Sequence, residues 1–126
     1  MRQPDIEIYL REDHLDNFFQ WLNQHIGVLH LDPWSGATRR GTLQNGQTPI
    51  PLMIVRKAAG KWASVWFISE YTPWSTDLEC ARAIAAGLQV EVRCSVGTWE
   101  ESQGDADADR WMKVTATEED EFVWAQ

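Results

Sequence analysis

Lys61-Trp62-Ala63-Ser64-Val65-Trp66-Phe67-Ile68 is apolar at nearly every position and follows Gly60. A run of this length, rich in aromatic and β-branched residues, has the character of a strand apolar on both faces, which belongs at the centre of a sheet. Successive side chains on a strand point to opposite sides. One set is therefore Ala63, Val65 and Phe67, and the other is Trp62, Ser64, Trp66 and Ile68.

The flanking sequence supplies the partners of this strand. Upstream, a strand at about 50–57 meets it across Ala58-Ala59-Gly60. Residues 33–49 are polar and too long for a comfortable structureless loop, so an added hairpin is expected there, with Asn45-Gly46 as its turn. Nearer the N-terminus, Ile6, Ile8 and Leu10 alternate with Glu7, Tyr9 and Arg11, the pattern of a half-buried strand. Leu15, Phe18, Phe19, Leu22 and Ile26 then recur at helical spacing, with Asp13 suited to the N-cap and Gly27 to a left-handed stop. Val28 to Leu31 gives a short second strand. Downstream, Thr76-Asp77-Leu78-Glu79 fits a capping box. The helix it starts carries Leu78, Ala81, Ile84, Ala85 and Leu88 on one arc, with Gly87 as its end. Val90, Val92, Cys94 and Val96 alternate with polar residues, and strands near 110–117 and 122–125 flank an acidic turn.

The order is β-α-β, then two or more strands, then α-β-β. Each helix has one apolar stripe, so the expected fold is α+β: a mixed or antiparallel sheet in one domain spanning residues 1–126, with two helices packed on one face. This is a split-βαβ-like sandwich with additional strands. The Ala63, Val65 and Phe67 set should meet the helices, because its modest side chains match the close approach that Ala81 and Ala85 permit. Trp62 and Trp66 are then sent to the open face. Trp111 joins them if Met112, Val114 and Ala116 form the buried side of the late strand. Such an apolar patch is expected to close against a second copy, against a partner, or beneath the 33–49 segment.

Charge narrows the function classes. Residues 1–63 hold seven Lys/Arg against six Asp/Glu, and residues 64–126 hold four against thirteen, which divides the net charge of −8 into +1 and −9. An acidic field repels nucleic-acid phosphates and attracts basic proteins. The run Glu118-Glu119-Asp120-Glu121 is the expected acidic interaction surface. No apolar stretch approaches a membrane-spanning length, and no signal core precedes the first strand. Cys80 and Cys94 form no CxxC pair, so both are expected as reduced thiols in a cytoplasmic protein.

Motifs that carry chemistry are missing: GxSxG, P-loop, GxGxxG and HExxH do not occur. His14 and His25 share a flank of the first helix with Trp21, but neither His30 nor Asp32 completes a zinc set by spacing. Asp105-Ala106-Asp107-Ala108-Asp109 begins like a calcium loop, then places Arg110 where Gly is needed and Ala116 where Glu is needed. No metal or cofactor is therefore expected, and no catalytic residue is assigned. Cys94, in phase with Val92 and Val96, reads as core rather than nucleophile.

Two patterns point towards binding. Pro33-Trp34-Ser35 recurs as Pro73-Trp74-Ser75 after successive strands. Trp34 and Trp74 could meet Arg39 and Arg40 at one end of the sheet and grip a small ligand by stacking and charge. The strand Gly60 to Phe67 also invites comparison with the aromatic strand of RRM domains, which share the split-βαβ layout. Gly60-Lys61 and Ser64 depart from that motif, and a −8 chain is ill suited to RNA. The sequence therefore points to a non-catalytic module binding a basic protein, with a homodimer as another use of the tryptophan patch. The alternative is a small-ligand binder or enzyme built on the Trp/Arg set.

Overall fold

The computed structural model describes residues 4–95 and 110–124. They form an eight-stranded sheet in which every hydrogen-bonded pair of neighbours is antiparallel. The strands are β1 (Ile6–Arg11), β2 (Val28–Leu31), β3 (Thr38–Asn45), β4 (Thr48–Ala59), β5 (Trp62–Phe67), β6 (Val92–Ser95), β7 (Arg110–Val114) and β8 (Glu119–Val123), in the spatial order β2-β3-β4-β5-β1-β6-β7-β8. Helix α1 (Leu15–His25) connects β1 to β2, and α2 (Asp77–Leu88) connects β5 to β6. An even number of antiparallel steps separates each connected pair, so each helix joins two strands that run the same way. β1 lies between β5 and β6, which is the split βαβ unit expected from the sequence. Among the described residues no helix is long and apolar enough to cross a membrane.

Both helices cover one side of the sheet. Ile6, Ile8 and Leu10 of β1, Ile50, Leu52 and Ile54 of β4, and Ala63, Val65 and Phe67 of β5 are buried with Phe18 and Leu22 of α1 and Ala81, Ile84 and Ala85 of α2. The alternation read on β5 thus assigns its two faces as observed. Strand register carries the assignment outward, because residues opposite one another share a face. Ile8 faces Val65, Val92 faces Val114, and Leu43 faces Ile50.

Several local expectations are revised. Residues 33–49 are not a cover over the open face: Thr38–Asn45 form β3, which pairs along its whole length with β4 through the turn after Asn45, and β4 itself begins at Thr48. Gly46 and Gly60 both open two-residue hairpin loops at positive φ (65° and 62°), the conformation a type II′ turn requires and glycine supplies. The N-cap of α1 is His14, after a 3-10 turn over Glu12–His14, and Asp13 caps nothing. Gly27 is not left-handed. A Cβ there would lie 2.2 Å from the Gln44 carbonyl oxygen, so the position is reserved for the close pass of the α1–β2 link over β3. Nor does Gly87 end α2. The helix runs to Leu88 and closes on Gln89 at φ 59°, while a Cβ on Gly87 would meet the Trp21 indole nitrogen at 2.3 Å. Half of the capping box at its start is formed, with Thr76 Oγ1 accepting from the Glu79 amide at 3.1 Å, while Glu79 Oε2 accepts from the Ser75 amide at 2.6 Å rather than from that of Thr76.

The C-terminal elements also shift. β7 stops at Val114, and Ala116 is exposed in a turn held by the Thr115 amide donating to the Glu118 carbonyl at 2.8 Å. The acidic run is not a turn: Glu119 to Glu121 begin the edge strand β8. Edge strands are commonly charged because their free rim would otherwise pair with other chains. Val96 and the Asp105–Asp109 run lie outside the described residues.

Candidate functional site

The helix-free face of the sheet collects aromatic side chains from four strands and an arginine from a fifth, all adjacent. The alternation that buries Ile8, Val65, Val92 and Val114 turns Tyr9 on β1, Trp62 and Trp66 on β5, Arg93 on β6, Trp111 on β7 and Phe122 on β8 to this side. Trp124 follows β8. On a flat sheet the four steps from β5 to β8 would span roughly 19 Å, yet the Trp124 ring lies 5.8 Å from that of Trp62. Trp124 therefore lies back across the face. Its indole is also 5.4 Å from Tyr9, 5.2 Å from Trp111 and 6.1 Å from Phe122, and Tyr9 and Trp111 meet edge to face at 5.2 Å. Edge-to-face contacts at these separations are the favoured aromatic geometry.

A cation sits inside this group. The Arg93 guanidinium carbon is 4.0 Å from the Trp62 ring, 4.6 Å from Trp124 and 4.8 Å from Phe122, and its Nε donates to Glu91 Oε2 at 2.7 Å. Its side chain is only 18% exposed, so the charge is largely withdrawn from water and answered by rings and by one carboxylate. Trp66 lies one register step further along. Its Nε1 donates to Asp5 Oδ2 at 2.7 Å, and Ser64 Oγ donates to Glu7 Oε2 at 2.9 Å. Loss of water pushes the Glu7 carboxyl above its usual range, against the lowering effect of the Ser64 bond and with help from Asp77 and Asp5. The Tyr9 phenol is raised by burial and by Glu7. The structure thus brings Trp62 and Trp111 into one cluster, bridged by Trp124, and leaves Trp66 beside it.

The second set of sequence candidates is distributed differently. Trp34 is contacted by two guanidinium groups, Arg56 at 4.3 Å and Arg39 at 5.6 Å. Arg39 Nε donates to the Asp32 carbonyl at 2.7 Å. Trp74 is 7% exposed, stacks on Trp21 at 6.5 Å and packs 5.5 Å from Phe67. Arg40 is next to Arg39 on a strand and points the other way, into an open groove with His30, Asp32, Met53 and Ile68. Trp34 and Arg39 are brought together; Trp74 and Arg40 are not part of that contact.

The acidic run is partly neutralised. Glu119 makes a bidentate pair with Arg82 of α2 at 2.7 and 2.9 Å, and Arg110 donates to Glu121. The Arg82 hydrogen bonds hold Glu119 below the usual carboxylate range. Asp120 lies on the helix-free side opposite Lys113, and Glu118 closes the β7–β8 turn. Cys80 and Cys94 are both buried free thiols. Among the described residues, no group of three or more His, Cys, Asp or Glu side chains is placed to hold a metal ion.

Tyr9, Arg93, Phe122 and Trp124 are site residues that the sequence reading did not single out. Tyr9 and Arg93 were within reach, since each is the outward member of an alternating strand. Phe122 and Trp124 depend on how β8 and the residue after it lie, which no periodicity reports. Comparison with known protein families, with curated proteins and with solved structures finds no match for the chain.

Proposed function

We propose that the chain is a non-catalytic protein-interaction module that meets a basic partner through the helix-free face of its sheet. The observation that carries this reading is the half-buried aromatic group Tyr9, Trp62, Trp66, Trp111, Phe122 and Trp124 on the side no helix covers. Interfaces are enriched in such rings and in arginine, and a few buried aromatic anchors dominate their energetics. Charge supports the basic partner. The C-terminal half carries −9, and the sequence between β6 and β7, whose ends are paired neighbours at Ser95 and Trp111, adds five carboxylates and no Lys or Arg. Such a field speeds encounter with a positively charged surface and weakens as salt screens it over about 8–10 Å.

The test uses the wild-type chain and a Trp62→Ala/Trp66→Ala chain as paired baits in a native lysate at low and high salt. The reading expects one or more basic proteins held by the wild type at low salt, released at high salt and absent from the variant. Identical captures by both baits would contradict it.

A further inference from the structure

We infer that the bowl formed by Tyr9, Trp62, Trp111 and Phe122 beside Arg93 is a receptor for one tryptophan side chain of a partner polypeptide, and that in the free chain the receptor is filled by the chain's own Trp124. The inference rests on the reading above in taking the helix-free face as the docking surface. It does not depend on the partner's charge.

Trp124 behaves as a ligand would. It stands one residue past Val123, the last paired residue of β8, so the sheet ladder does not fix its position. Its place is set by its side chain, which meets four rings at centroid separations between 5.2 and 6.1 Å. Two of these rings belong to β1 and β5, strands that a residue at the far edge reaches only by lying across the face. The contacts with Tyr9, Trp62 and Trp111 are steep, with interplanar angles of 80°, 71° and 76°, while Phe122 lies nearly parallel at 30°. Three edge contacts and one stacked contact define a slot for a flat ring rather than a featureless apolar floor.

Arg93 makes the slot selective for indole. Its guanidinium carbon is 4.6 Å from the Trp124 ring, and tryptophan is the ring that attracts a cation most strongly. An aliphatic anchor would forfeit that attraction. A lysine or arginine anchor would place a second cation beside Arg93, with Glu91 already engaged by the first. The receptor's occupant is therefore an indole.

Self-occupancy has a consequence for binding. A side chain tethered to its own site acts at an effective concentration on the order of millimolar, so an external ligand competes against it. The apparent affinity for a partner's tryptophan is reduced by the fraction of molecules in which the bowl is empty. Displacing Trp124 uncovers the site.

The experiment follows the indole Nε1–H resonances of Trp62 and Trp111 by NMR while acetyl-Val-Trp-Ala-Gln-amide, matching residues 123–126, is added to the wild type and to Trp124→Ala. In the variant these resonances are expected to shift saturably, at a peptide concentration about 10-fold lower than the wild type needs. The same peptide with alanine in place of tryptophan should move neither. If the variant does not fold, the wild type still decides the matter, because excess peptide should displace Trp124 and carry its Nε1–H to the position of a free indole. Absence of shifts in a folded variant, equal response to the alanine peptide, or an unmoved Trp124 resonance at saturating peptide would each overturn the inference. These outcomes do not involve a natural partner, so failure here and failure of the basic-partner reading remain distinguishable.

Discussion

Arg93 is the residue on which the helix-free face turns. Three ring contacts within 4.8 Å and the Glu91 pair compensate for its withdrawal from water. Truncating it leaves Glu91 without its cation and the rings around an empty centre. Arg93→Ala is expected to lower stability by about 1–3 kcal/mol in urea unfolding. Arg93→Lys should recover only part of this, since an ammonium lacks the flat guanidinium that spans several rings. A midpoint unchanged by Arg93→Ala would mean the cation is incidental. The thiols give a second prediction. Burial, with Asp77 and Glu119 adding, pushes Cys94 from 9.0 to about 12, and burial chiefly pushes Cys80 up as well. Above 9.0 the unfolded chain releases protons that the folded chain keeps. Stability should therefore fall as pH rises from about 9 to about 12. With the thiolate as the reactive form, neither cysteine should react with a disulfide reagent near about pH 8 until the chain unfolds. Rapid labelling of the folded protein would contradict this.

At the scale of elements, Gly87 separates helix propensity from packing. In an isolated helix, alanine for glycine would add about 1 kcal/mol. Here the added methyl would lie 2.3 Å from the Trp21 indole nitrogen, so Gly87→Ala is expected to cost about 1–3 kcal/mol by forcing α1 and α2 apart. A gain in thermal midpoint would show that the contact yields easily. Thr76→Ala should cost about 1 kcal/mol through the lost cap on the Glu79 amide, read by chemical denaturation. These elements were legible because their burial is one-sided and periodic: β1, α1, the face assignment of β5, α2 and β6 all follow from spacing. β3 was less so, because it lies near the sheet margin, where Leu43 is its one fully buried side chain and Thr, Arg, Gly, Gln and Asn make up the rest. β8 was misread as a turn because Glu119-Asp120-Glu121 contribute backbone to the ladder while their charges stay at the rim. Of the site, Trp62, Trp66 and Trp111 could be placed from strand phase alone. The Trp124 contacts could not, since they join residues far apart in sequence through a position past the last paired residue of β8, where no repeat applies.

The whole molecule divides its work between two faces. One is sealed by α1 and α2 over a continuous apolar core; the other bears rings, a shielded arginine and a chain that returns across them. Its net charge of −8 arises entirely in the C-terminal half, which carries −9 against +1 in the N-terminal half, although Glu119 and Glu121 are spent in pairs with Arg82 and Arg110. Neutralising Glu118 and Asp120 should therefore slow association with a basic partner more than neutralising Glu119 and Glu121, as read in association rates at low salt. Equal effects would mean that the ion pairs do not hold in solution. The central claim is that recognition belongs to the helix-free face, and affinity for a captured partner tests it most directly when one substitution is placed on each face. Trp62→Ala alters the ring cluster, and Glu79→Ala alters an exposed residue on α2. By calorimetry the first should weaken binding at least about 10-fold, the loss expected of an aromatic anchor, and the second should leave it nearly unchanged. Binding that survives Trp62→Ala and fails with Glu79→Ala would place recognition on the helices and contradict the account.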